Sequence, residues 1–125
     1  MTTVFTPLTK GFSWIPSTTD ASGNALPAGE APSGATVGIR ADGDANHAAG
    51  NYQYIVSVNG STAQLLITDP QWLAAKIPPG NYWGAVDQTD MLGTSTSTSA
   101  WTPEVPFSIP APIVKPASPT GFTAG

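Results

Sequence analysis

The stretch that most restricts what this chain can become is residues 77–90, Ile-Pro-Pro-Gly-Asn-Tyr-Trp-Gly-Ala-Val-Asp-Gln-Thr-Asp. Two adjacent prolines fix their own φ and remove two backbone donors, so a helix cannot run through this point. Gly80 and Asn81 tolerate the left-handed backbone that a sharp corner needs. Beyond them the side chains alternate. Tyr82, Gly84 and Val86 share one face of a strand, and Trp83, Ala85 and Asp87 share the other. The expectation is a strand entered through a tight corner at Tyr82 and closed by a second, polar corner carrying Asp87 and Asp90.

The same punctuation recurs along the chain. With 13 Gly and 13 Pro among 125 residues, about a fifth of the positions interrupt regular backbone, against an ordinary level of roughly 12%. Short strands joined by many turns suit that pattern, and long helices do not. Residues 2–9 carry Pro7 and suit a sheet edge. Phe12 and Trp14 lie two apart and point together into a core, and Pro16 ends their strand. Residues 17–34 form a loop rich in small and polar residues, long enough for a contact role or a mere insertion. Residues 35–41 alternate, with Val37 and Ile39 inward and Arg40 outward.

Residues 52–58, Tyr-Gln-Tyr-Ile-Val-Ser-Val, have the strongest β-propensity in the chain. Asn59-Gly60 follows as a favoured two-residue hairpin turn, leading to a return strand over 63–68. Asp69 and Pro70 open one helical turn, with Lys76 at its end and Leu73 and Ile77 seating it on the domain. Residues 91–100 read as a Thr/Ser loop, and 105–109 as a last strand that Pro106 places at an edge. Residues 110–117 read as extended, polyproline-like linker.

Taken in order, Phe12-Ser13-Trp14, then Pro16 and Asp20-Ala21-Ser22-Gly23, then Pro79-Gly80-Asn81-Tyr82 through Asp90, then residues 105–109, resemble the fibronectin type III and bacterial immunoglobulin-like domains. The resemblance covers roughly residues 4–109. It implies an all-β, immunoglobulin-like (fibronectin type III-like) two-sheet sandwich of about seven strands over residues 1–109. One short helical turn and an extended Pro-rich tail over 110–125 complete the expected architecture. The family's common spacing leaves one residue between turn and corner aromatic, which would select Trp83; alternation with Gly84 and Val86 selects Tyr82. Residues 116–124 resemble the opening of another such domain. A truncated array, a vestige and an arm that adds a strand to a neighbouring subunit all fit that echo.

Charge and composition exclude several functions. Four cations against eight acids, a net charge of −4, disfavour nucleic acid and anionic membrane as partners. The absence of cysteine rules out disulfides, thiolate metal sites and a cysteine nucleophile. Residues 1–5 lack the basic and apolar regions of a secretion signal, and no apolar run approaches the roughly 18 residues of a membrane span. With Met1 as the natural start, the chain is expected to stay within the producing cell.

The chemical candidates are few. Asp42, Asp44 and Asn46 copy positions 1, 3 and 5 of a calcium loop, but His47 replaces the expected Gly and Gln53 the expected bidentate Glu. A polar connection is the plainer reading, and no metal or cofactor is expected. His47, the single histidine, has no His or Cys with which to complete a metal set. Ser57 and Ser61 lack a nucleophile elbow, and the acids fall mostly in turns, so no enzymatic activity is expected. Asn59-Gly60-Ser61 fits a glycosylation sequon but reads better as a turn.

Trp72 and Trp101 lie outside the clear strands. Exposed, they would stack on sugars or anchor a protein interface; buried, they would plug the ends of the sandwich. With Pro119 and Phe122 of the tail they are the interaction candidates. A small sandwich with no cysteine, few charges and no signal resembles the capsid-decoration and tail-associated immunoglobulin-like proteins of bacteriophages. That resemblance implies a non-catalytic structural module of a virion, made in the host cytoplasm, whose partners are other subunits or further copies of itself. The alternative is a carbohydrate-binding or accessory module of a larger secreted enzyme or surface protein, and hence extracellular.

Overall fold

Two long strands form the spine of the computed structural model, which describes residues 2–60, 62–112 and 115–125. In chain order the elements are β1 (Thr6–Pro7), β2 (Gly11–Ser13), β3 (Ala31–Ala41), β4 (Tyr54–Asn59), β5 (Gln64–Leu66), α1 (Pro70–Ala75), β6 (Gly80–Leu92), β7 (Ser95–Thr98) and β8 (Val105–Ile109). The described residues are therefore all-β with one short helix. The strands make a large sheet ordered β1-β8-β6-β3-β4, with β7 pairing the far end of β6, and a small sheet of β2 and β5. All pairings are antiparallel except that of β1 with β8.

Alternation decides which face is buried. Register sets Val37 opposite Val86 and Val56, and Ile39 opposite Gly84 and Tyr54. These residues share one face with Ala35, Val58, Tyr82 and Phe107, and they meet Leu65, Phe12 and Trp14 from the small sheet. Ile39 and Leu65 have no exposed surface and Val37 has 2%; full burial of each such side chain contributes about 1.5–3 kcal/mol. Arg40 and Trp83 take the opposite face, as the alternation requires.

At the entry to β6, Tyr82 turns inward with 4% of its surface exposed. Its hydroxyl donates to the Pro78 carbonyl oxygen at 2.5 Å, while its ring stacks on Phe107 at 5.7 Å. The corner aromatic is thus Tyr82. Trp83 lies half-buried on the other face.

Several elements differ from the sequence expectation. Asp87 and Asp90 form no corner, because β6 continues to Leu92 and pairs there with β7. The Thr/Ser run expected as a loop becomes β7. Its Thr98 hydroxyl lies 2.9 Å from that of Thr89, the kind of cross-strand Thr pair that favours a sheet. The strand expected from residue 35 begins at Ala31, which shortens the preceding loop. Tyr52 falls outside β4 and crosses to the other face.

Asn59-Gly60 closes no hairpin: β4 pairs with β3, whereas β5 pairs with β2 in the small sheet. Local turn chemistry permits a corner there, but Leu65 finds its burial against Phe12 and the core, not beside β4. Ser61, named above as sequon and nucleophile residue, lies outside the described residues, as do residues 113 and 114 of the tail.

Helix α1 begins at Pro70, yet Asp69 does not cap it through its side chain. Its Oδ2 instead accepts from the Leu66 N–H at 2.8 Å. Lys76 lies past the last turn, at the C-cap, with φ of 50°. Leu73 is 60% exposed, and it is Trp72, Ala75 and Ile77 that seat the helix against the core.

Candidate functional site

Three regions carry concentrated polar or aromatic chemistry. The first is the outer face of the large sheet. Gly38 and Ala85, opposite one another in register, leave a shallow floor on which the Tyr52 ring rests. A Cβ on Gly38 would stand only 2.3 Å from Tyr52 Cδ2. Trp101, carried by the segment between β7 and β8, meets Tyr52 edge-on at 4.9 Å. Beside them Arg40 holds Glu104 in a two-pronged pair at 2.8 and 2.7 Å. The guanidinium carbon also lies 5.7 Å from the centre of the Trp83 ring, close enough for cation–π attraction. Phe5 closes the far side, 5.5 Å from Trp83.

Electrostatics in this cluster follow from the contacts. The Arg40 hydrogen bonds hold the Glu104 carboxyl below the usual carboxylate range, and Glu104 in turn raises Arg40. Burial pushes the Tyr52 phenol upward. Its hydroxyl has no well-aligned hydrogen-bond partner among the described residues.

The second region is a groove of about 550 Å³ where β6, the 14–30 segment and the 97–102 segment converge. Gln88 ties it together. Its Oε1 accepts from the Ser17 N–H at 2.7 Å, and its amide nitrogen donates to the Ser17 carbonyl and to Asp90 Oδ1. Asp90 is buried at 8% exposure. A hydrogen bond to Asp90, then burial, raises the Glu30 carboxyl above its ordinary value. Asp20 folds its own loop by accepting from the N–H groups of Ser22 and Asn24. These acids act mainly on the protein's own backbone and side chains.

The third is the turn after β3. Asp42 Oδ1 accepts from Trp83 Nε1 at 3.0 Å. Asp44 accepts from the Asn46 N–H and lies 2.6 Å from His47 Nδ1. Those contacts, the Asn46 N–H first, hold Asp44 below its ordinary value. Of the calcium candidates Asp42, Asp44 and Asn46, the two carboxylates are thus turned to separate side-chain partners, Trp83 and His47. No group of three acids or histidines converges in metal-holding geometry among the described residues.

The two tryptophans named from the sequence lie on different sides of the molecule. Trp72 is half-buried under α1, edge-on to Phe12 at 5.8 Å; Trp101 is half-buried on the outer face. They form no common platform. Pro119 and Phe122 are exposed, Phe122 at 98%, and every described tail residue from Pro110 onward is exposed.

The Arg40–Glu104 pair and the Glu30–Asp90 contact escaped sequence reasoning because their partners are about sixty residues apart. Only register joins them; no local motif marks them. Compared with protein-family models, curated proteins and solved structures, the chain gives no match in any of the three.

Proposed function

We propose that this chain is an immunoglobulin-like, fibronectin type III-like module with a non-catalytic structural role, making protein contacts within a multi-subunit assembly. A virion, as a capsid-decoration or tail-associated component, is the setting the composition suggests. The fold reading is supported by a large sheet ordered β1-β8-β6-β3-β4 facing a β2–β5 pair. The Tyr82 hydroxyl bond to Pro78 four residues upstream adds support, since such sandwiches carry a tyrosine whose hydroxyl bonds back to the backbone a few residues upstream.

One observation carries the functional reading. A chain that buries its other phenylalanines at least in part leaves Phe122 98% exposed on an extended, Pro-punctuated tail. An aromatic held out in this way is the kind of anchor that protein interfaces bury. The carbohydrate-binding alternative draws less support, because each indole spends an edge contact on its own domain and the two share no plane.

The test is fractionation of producing cells with an antibody against the domain. The expected result is co-sedimentation with purified particles and loss of that association when Phe122 becomes Asp. Recovery of the wild-type chain only as free protein would refute the assembly role.

A further inference from the structure

The small sheet has one edge that nothing covers among the described residues. Trp14 donates to the Ala63 carbonyl and Ile67 to the Lys10 carbonyl, with Phe12 opposite Leu65 between them. In an antiparallel ladder the hydrogen-bonded residues alternate, so the backbone groups of Lys10, Phe12 and Trp14 face β5. Those of Gly11 and Ser13 therefore point away from the sheet. Immediately beside this edge an apolar pocket of about 230 Å³ opens between β2 and residues 102–105. Phe12, Trp14, Val37, Val86 and Val105 line it, and no charged side chain does. Val105, an apolar residue in register with Gly84, is 53% exposed there.

The same chain carries an exposed segment of matching chemistry. Residues 116–124 hold no charged side chain, and 120–124, Thr-Gly-Phe-Thr-Ala, contain no proline. Laid as a strand, they put Phe122 on one face and Gly121 and Thr123 on the other. Every residue from 120 to 124 can donate its N–H. Pro110, Pro112, Pro116 and Pro119 each fix their own φ in the chain leading to this segment, and every described residue from Pro110 onward is exposed.

We propose that residues 120–124 of one copy of this chain add as a strand to the β2 edge of a second copy, with Phe122 filling the pocket beside Phe12 and Trp14. This rests on the interaction role assigned to the tail above and names its acceptor. Strand addition of this kind draws affinity from main-chain hydrogen bonds and specificity from the inserted side chain. Donor and acceptor are different surfaces, so the contact is head-to-tail and can propagate from copy to copy.

The absence of native cysteine makes the test clean. Phe122 inward beside Phe12 or Trp14 puts Thr123 on the same face as Ser13. Mixing full-length Ser13→Cys with full-length Thr123→Cys under mild oxidation should give the mixed disulfide dimer. Adding Phe122→Asp to the Thr123→Cys chain should lower that yield at least roughly tenfold, as expected for loss of a buried aromatic. Both cysteines are at exposed positions, so folding is unaffected. Closure of the Ser13→Cys/Thr123→Cys double variant into an intramolecular disulfide monomer would overturn the second-copy assignment. A mixed yield no higher than that of either variant with itself, or one unchanged by Phe122→Asp, would overturn the docking. Absence of the mixed dimer alongside particle association refutes this docking alone. A robust mixed dimer in a chain never found on particles supports the docking and refutes the assembly role.

Discussion

Gly38→Ala is the sharpest probe of the outer-face cluster. The added methyl would stand 2.3 Å from Tyr52 Cδ2 and 2.6 Å from Cγ, far inside van der Waals contact. Gly38 lies mid-strand, paired on both sides with Ala85 and Ile55, so its backbone cannot retreat. It needs no left-handed φ, so the effect is steric alone. Tyr52 must move, and it takes with it a ring buried to 7% exposure and the edge contact with Trp101. Overpacking costs about 1–3 kcal/mol and the aromatic contact about 0.5–1.5 kcal/mol. The expected loss is about 2–4 kcal/mol, read by urea unfolding followed through tryptophan fluorescence. Tyr52→Ala removes the obstacle. In that background Gly38→Ala should be neutral or slightly stabilising, because alanine restricts the unfolded chain. The double-mutant cycle should therefore show a coupling of at least about 2 kcal/mol. Additive single effects, or a Gly38→Ala variant within about 0.5 kcal/mol of wild type, would refute the seating of Tyr52 on Gly38.

Two further outcomes follow from other contacts. Tyr82→Phe, which keeps the stacked ring and deletes only the hydroxyl bond to Pro78, should cost about 1 kcal/mol, whereas Tyr82→Ala should cost about 3–5 kcal/mol; unfolding curves that rank Trp83→Ala as the more damaging truncation would contradict the corner assignment. Glu104→Gln should lose about 1.5–3 kcal/mol at pH 7, the range for a hydrogen bond to a charged group. Because Arg40 lowers the folded-state pKa of Glu104, that stability is present above the ordinary carboxylate value and is lost as pH falls through the lowered one. The gap between wild type and Glu104→Gln should accordingly close in acid, and a gap that persists at pH 2 would show that the pair contributes nothing through its charge.

How much of this was legible beforehand depends on the range of the interaction. Alternation placed Val37, Ile39, Tyr82 and Val86 inward and Arg40 and Trp83 outward, because a period of two is a local property of a strand. The paired prolines placed the entry to β6. Element ends were less legible. β6 runs on to Leu92, past polar Asp87 and Asp90, because Thr36 donates its N–H to Asp87 Oδ1 and Gln88 donates to Asp90. A strand's polar residues look like a corner until those partners are known.

The sequence by itself determined the all-β character, the faces of the principal strands and the inward place of Tyr82 at the entry to β6, since each follows from torsional limits and short-range periodicity. Tertiary structure alone decided which strands share a sheet. Asn59-Gly60 is compatible with a hairpin, yet β4 and β5 part company, because burying Leu65 against Phe12 requires crossing between the sheets. It alone decided that Trp72 and Trp101 face different surroundings, and that Arg40 meets Glu104. It also decided that the β2 edge lies open beside an uncharged pocket while Phe122 stands in solvent. Contacts between residues tens of positions apart depend on how the two sheets stack, and no local stretch of sequence encodes that.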